Sequence, residues 1–244
     1  MPPGPLLLLS NAVHVWRVDL HYSSTCCRQF EPLLSKEERT KANLFKFAHL
    51  RSQYITCRAI LRSILSGYIY QRPETLTILT GPCGKPFLQQ PANDQTLEFN
   101  VSHSQQLALI AVTRGRSVGI DVEWIDPELP IDLLSSYILS SREEAALQAL
   151  PPSWKRKAFY HGWTRKEAFL KARGDGLSIP LPHCEVSLSP DNAALLQVAW
   201  NPTEAGCWSL RQFDPAPWYT AAIAIRGHNW KLSCWNWDMP GDAR

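Results

Sequence analysis

A chain of 244 residues that is 45% hydrophobic and 19% charged can bury a large core, and its composition excludes disorder. The net charge of +3 comes without any basic run interleaved with aromatics, so no nucleic-acid partner is expected. Met1–Pro5 has no basic residue, Leu6 to Leu9 is too short for a signal-peptide core or a membrane span, and the seven cysteines show no C-x-x-C spacing, so a cytoplasmic protein with neither membrane contact, disulfide framework nor zinc site is expected.

In chain order, Leu34-Ser35-Lys36-Glu37-Glu38-Arg39 comes first, with Ser followed three residues later by Glu, the capping-box pattern of a helix start. A second helix runs through Arg51 to Leu61. Gly84-Lys85-Pro86 is a turn signal that projects Lys85 into solvent or into a site. Leu97 to Val101 alternates as a strand and leads into Ser102-His103-Ser104, whose imidazole and hydroxyls suit a phosphate or a structural role at a strand end. An apolar strand follows at Leu107 to Val112, and Arg114-Gly115-Arg116-Ser117 marks a boundary.

Beyond that boundary Val118, Ile120 and Val122 alternate with Gly119, Asp121 and Glu123, which puts both carboxylates on one side of a strand. Leu139-Ser140-Ser141-Arg142-Glu143-Glu144 then repeats the capping box. In the next helix Trp163, Glu167 and Lys171 stand at i, i+4 and i+8, along one stripe. A closing strand lies at Thr220 to Ile225, and Trp230, Trp235 and Trp237 are expected to pack the tail onto the body.

The repeated order of capping box, second helix and closing strand reads as one α+β unit used twice. The fold expected is α+β, with two similar subdomains, 1–116 and 117–244, related by a pseudo-twofold axis. The cleft between them is the natural ligand site. Taken singly, the strand carboxylates and the Glu167–Lys171 pair also read as ordinary solvated charge. Taken together, Asp121, Glu123 and Glu167 make a hard oxygen-rich site suited to magnesium and a phosphate-bearing substrate. On these residues alone a transferase and a phosphohydrolase stand level.

Gly119-Ile120-Asp121 followed by Trp163-x-x-Lys166-Glu167-Ala168-x-x-Lys171 resembles the signature of the phosphopantetheinyl transferase superfamily, in its Sfp-type branch. Gly84-Lys85-Pro86 and Asn100-Val101-Ser102-His103-Ser104 match its two upstream motifs in order, and Gly174-Asp175-Gly176-Leu177 resembles the segment after the helix motif. The resemblance runs from about residue 35 to residue 180 and leaves the last sixty or so residues unmatched. It implies transfer of the 4′-phosphopantetheine arm of coenzyme A to a serine of an apo acyl or peptidyl carrier protein, with release of adenosine 3′,5′-bisphosphate. It further implies Mg2+ held by Asp121, Glu123 and Glu167, with Glu167 removing the serine proton, Lys171 stabilising the leaving group and Lys166 orienting Glu167 or the pyrophosphate. Lys85, His103 and Ser102 would contact phosphate. Lys41 and Arg51 would hold the nucleotide end, with Arg58 given to packing. A monomer is expected by analogy, with carrier docking around Leu129 to Leu139. The alternatives are a Mg-dependent phosphohydrolase acting on coenzyme A or related pyrophosphates, and a silent binding protein.

Overall fold

The computed structural model describes residues 6–21, 24–90 and 96–238, so the expectation for Met1–Pro5 lies outside the described residues. The first half runs through strand β1 (Ala12–Asp19), helices α1 (Ser24–Phe30), α2 (Lys36–Ala42) and α3 (Ala48–Ile69), the hairpin β2 (Ile78–Thr80) and β3 (Pro86–Leu88), and strands β4 (Leu97–Ser104) and β5 (Leu107–Arg114). The second runs through β6 (Val118–Trp124), α4 (Ile131–Ile138), α5 (Ser141–Gln148), α6 (Pro152–Arg173), β7 (Cys184–Val186), β8 (Leu195–Val198), β9 (Trp208–Phe213), β10 (Tyr219–Arg226) and β11 (Lys231–Asn236). It is a mixed α+β architecture.

Strand order is β11-β1-β5-β4 in one sheet and β6-β10-β9 in the other. Leaving β11 aside, each sheet has its first strand antiparallel to its last, and its last antiparallel to its second to last. Side-chain alternation makes this a layered stack. Ala108, Ile110 and Val112 of β5 face the core built on α3. Leu107, Leu109 and Ala111 face the other way, into a core shared with Val118, Ile120 and Val122 of β6 and with Ala221, Ile223 and Ile225 of β10. Ala222 and Ala224 of β10 then meet α6. Strands β5 and β10 are apolar on both faces because both faces are covered.

Both capping boxes form, at Ser35 with Glu38 and at Ser140 with Glu143. Each glutamate is also the anchor of the long helix that follows. Glu38 accepts from Arg58 and Arg62 of α3 at 2.7 and 2.6 Å, and Arg62 also donates to the carbonyls of Pro73 and Leu76. Glu143 accepts from Lys166 of α6 at 2.5 Å and from the Val186 N–H, and Lys166 also donates to the carbonyls of Ile138 and Leu181. With Arg62 at 1% and Lys166 at 0% exposure, these charges survive burial because their donors find partners. This corrects the catalytic expectation for Lys166. All three of its N–H groups are spent inside the fold, so it orients neither Glu167 nor a pyrophosphate.

Strand β11 returns to the first sheet and lies parallel to β1, from Ala12 opposite Lys231 to Arg17 opposite Asn236. Trp235 packs edge-on to His14 at 4.3 Å and tilted against Trp16 at 5.3 Å, while Trp230 enters the core between the sheets. The C-terminal tryptophans do fasten the tail to the body.

Gly119 is where α6 meets β6. A Cβ there would lie 2.0 Å from the Ala168 carbonyl oxygen and 2.3 Å from the Ala172 nitrogen, so only glycine admits the helix backbone. Gly119→Ala should cost about 3 kcal/mol or more, the top of the range for overpacking. Denaturant unfolding followed by tryptophan fluorescence would measure it.

Candidate active site

Strand β6 pairs with β10 along one edge, and its other edge faces the first half of the chain. Among the described residues no strand bonds that second edge; side chains do. The N–H groups of Ile120, Val122 and Trp124 donate to Asn100 Oδ1, Ser102 Oγ and Ser104 Oγ at 2.9, 3.3 and 3.0 Å. The constant separation of 20 residues means that β4 and β6 run side by side in the same direction, bridged by side chains at period 2. At the start of the same edge, Lys85 Nζ donates to the carbonyls of Val118 at 3.1 Å and of Ala172, at the end of α6, at 2.9 Å. The expectation that Lys85 reaches out to a phosphate is therefore corrected: its ammonium turns inward and fastens β6 to α6. Burial lowers its pKa, opposed by the charge of Glu98.

The odd residues of β6 face α6, and that puts Asp121 and Glu123 with Glu167 and Lys171. Asp121 is 2% exposed. Its Oδ1 accepts from Lys171 Nζ at 2.5 Å and from Ser102 Oγ at 2.9 Å, while its Oδ2 is buried and accepts from nothing. Glu123 accepts from Ser104 Oγ at 2.9 Å. The hydroxyl of Ser102 is fully engaged, since it donates to Asp121 and accepts from Val122 N–H and from Lys171 at 3.0 Å. The phosphate contact expected of Ser102 is accordingly replaced by a hold on Asp121.

The titration directions follow from this crowding. Burial raises the pKa of Asp121, with Lys171 opposing. Burial and the charge of Asp121 push Glu123 up to about 7, with Ser104 and Lys171 opposing and Glu167 adding a small rise. Burial and Asp121 likewise raise Glu167, against Lys171. Burial disfavours the Lys171 ammonium, but Asp121, Glu167 and Glu123 outweigh it and hold that pKa above the ordinary lysine range. Three mutually repelling carboxylates around one ammonium lack positive charge. Among the described residues no group of three His, Cys, Asp or Glu side chains already stands arranged to hold a metal ion. The orphaned Asp121 Oδ2 and the surplus negative charge are nonetheless what a hard cation would satisfy.

His103, at the outer end of β4, is exposed, and desolvation followed by the Lys171 charge lowers its pKa, with Asp121 opposing. Trp163 stacks on Tyr160 at 5.9 Å and packs edge-on to Phe159, both on α6 itself, and joins the apolar cluster with Ile131, Ile138 and Leu139, a structural duty. On the first half a cleft of about 1270 Å³ opens, lined among others by Lys36, Arg39, Lys41, Tyr54, Arg58 and Gly84. Lys41 Nζ stands 5.6 Å from the centre of the Tyr54 ring. Arg51 is elsewhere: it pairs with Glu31 at 2.7 Å and lines a separate cavity of about 110 Å³. Arg58, expected to serve packing, lines the large cleft while bonded to Glu38, and Arg51 lies outside that lining. In the second half, α4 presents Leu133 and Tyr137 one turn apart, at 72% and 75% exposure.

The bonds that Asn100 and Ser104 make to β6 were not expected: Ser104 was read only as a hydroxyl suited to a phosphate, and Asn100 only as part of the upstream motif. Their signal was visible as polar residues at period 2 with no apolar reason to be there, but what they face is decided by tertiary structure.

Comparison with known proteins finds matches over both halves of the chain. Residues 23–115 match the family described as "4′-phosphopantetheinyl transferase, N-terminal", and residues 117–226 match the "4′-phosphopantetheinyl transferase superfamily". The 4′-phosphopantetheinyl transferase HetI of Nostoc sp. strain PCC 7120 is 37% identical over 96% of this chain and 96% of its own. The 4′-phosphopantetheinyl transferase psf-1 of Bacillus pumilus is 31% identical over 81% of each chain. For 4′-phosphopantetheinyl transferase Sfp of Bacillus subtilis strain 168 the identity is 25% over 80% of this chain and 83% of its own. Similarity that spans both halves at this level leaves one assignment: the chain belongs to the 4′-phosphopantetheinyl transferase superfamily.

Proposed function

We propose that this chain transfers the 4′-phosphopantetheine arm of coenzyme A to a serine hydroxyl of an apo acyl or peptidyl carrier protein and releases adenosine 3′,5′-bisphosphate, with Mg2+ as the metal. The observation that carries the reading is the unpartnered, buried Asp121 Oδ2 beside two further carboxylates of raised pKa. Asp121, Glu123 and Glu167 would hold the metal, which when bound supplies charge neutralisation for a pyrophosphate.

The other parts act through their own chemistry. Glu167, a stronger base than an ordinary carboxylate because burial and Asp121 raise its pKa, takes the serine proton. Lys171 balances Asp121 and offers an ammonium to the departing bisphosphate. His103 stands exposed at the end of β4 for a phosphate contact, and Lys41 with Arg58 lines the cleft that takes the nucleotide end. Two subdomains, 1–116 and 117–244, related by a pseudo-twofold axis, are supported by the matching strand order and by the two anchored capping boxes, with β11 crossing back to the first. One chain then supplies both walls of the site, which favours a monomer. The cytoplasm is the compartment that goes with this reading. The hydrolase alternative receives no support from the relatives, whose names describe transferases.

Mixing the protein with coenzyme A, Mg2+ and an apo carrier should add the phosphopantetheine mass to one serine of the carrier. Bisphosphate release without a carrier would instead favour the hydrolase. Glu167→Ala should lower transfer by at least about 100-fold, as expected on losing a general base, without loss of stability; intact-protein mass spectrometry and thermal unfolding read the two effects. Lys41→Ala should raise KM for coenzyme A roughly tenfold, with a smaller change in kcat, since it removes binding remote from the reacting phosphorus.

The raised pKa of Glu123 fixes a sign. Between the ordinary value of 4.5 and about 7 the folded chain keeps a proton that the unfolded chain has lost, so stability present below pH 4.5 is lost as pH rises through 7. Glu123→Gln should therefore stabilise the metal-free protein at pH 8 by on the order of 2 kcal/mol, and not at pH 4. Urea unfolding at the two pH values tests this.

A further inference from the structure

The geometry points to Ser104 as a positioning residue that fixes the Glu123 carboxylate from the opposite half of the chain. One hydroxyl bonds both the backbone and the side chain of adjacent residues in β6. Ser104 Oγ accepts from Trp124 N–H at 3.0 Å and donates to Glu123 Oε2 at 2.9 Å. Ser102 repeats the arrangement two residues earlier, accepting from Val122 N–H and donating to Asp121 Oδ1 at 2.9 Å. Asn100 begins the row with the Ile120 N–H alone.

This row does two things with the same atoms. By accepting the N–H groups it locks the register of β6 against β4. By donating to the carboxylates it chooses which oxygen of Asp121 and of Glu123 stays free. Ser102 and Lys171 both occupy Asp121 Oδ1, which leaves Oδ2 as the orphan. Ser104 occupies Glu123 Oε2, which leaves Oε1 open to a ligand. The carboxylates belong to the second half and their orientation is set by the first, so the donor set is correct only when the halves are seated on each other. Partners of metal-binding side chains govern affinity in this way by holding the ligand oxygens in place. The inference rests on the reading of Glu123 as a ligand to Mg2+.

The test uses the full chain with Ser104→Ala and the conservative Ser104→Thr, which keeps a hydroxyl. Ser104→Ala should raise the Mg2+ concentration needed for half-maximal transfer by about tenfold, the low end for loss of such a partner, with KM for coenzyme A unchanged. In the metal-free protein it should speed amide exchange at Trp124 and leave Ile120 protected. Ser104→Thr should restore both. Unchanged Mg2+ dependence in Ser104→Ala, or faster Trp124 exchange with no effect on Mg2+ dependence, would overturn the proposal, the second outcome showing a contact that only supports the strand. If the wild-type protein modifies no carrier, the transfer reading fails by itself. Trp124 exchange together with calorimetric titration of Mg2+ into wild type and variants then still decides the role of Ser104.

Discussion

Backbone groups on the open edge of β6 have lost water without gaining a neighbouring strand, and a buried edge left in that state would cost several kcal/mol. The first half of the chain answers with side chains: Lys85 on the Val118 carbonyl, and Asn100, Ser102 and Ser104 on the three N–H groups that follow. How the halves sit follows from this. A side-chain bridge holds two strands farther apart than a ladder would, and so leaves β4 and β6 in separate sheets. The same seam brings the serines of one half against the carboxylates of the other. Gly119 completes the constraint on the opposite face, where α6 lies directly on the strand.

The two halves meet a second demand in parallel. A long helix crossing a sheet must be held at a fixed angle, and each half does so by turning the capping-box glutamate of the short helix into the acceptor for a cation on the long one. The cations differ. Arg62 spreads a planar fork over a carboxylate and two carbonyls, while Lys166 reaches the same kinds of partner with a compact ammonium. Burial at this depth is tolerable because Lys166 has an acceptor for each of its three N–H groups and Arg62 has one carboxylate and two carbonyls. The ion pairs fix geometry more than they add stability, and geometry is what Glu167 and Lys171, on the half-buried stripe of the same helix, require.

Period-2 alternation made Asp121 and Glu123 legible as neighbours on one face, and the i, i+4 spacing did the same for Glu167 and Lys171, because both depend on local backbone geometry alone. The capping boxes at Ser35 and Ser140 were legible for the same reason. Lys166 was misread because adjacency in a motif is not adjacency in space: it stands about 100° around the helix from Glu167 and points into the core. Lys85 and Ser102 were placed on a ligand by the family resemblance, since residue type alone left them open, and only the packed structure reveals the carbonyls and carboxylate that engage them. Arg51 and Arg58 could not be ranked without knowing that Glu31 faces one and the large cleft the other.

Strand β11 joins the end of the chain to its beginning. Beside β1 it covers His14 and Trp16 with Trp235, and it does so after two hundred intervening residues have folded around their own helices. During synthesis the first sheet therefore waits with one flank bare, however early α3 docks on its other face. Pairing at such sequence separation is slow and closes last. A polypeptide interrupted before residue 231 would keep the helix that carries Glu167 and Lys171 yet leave the aromatic flank of β1 bare, which favours aggregation or proteolysis over catalysis.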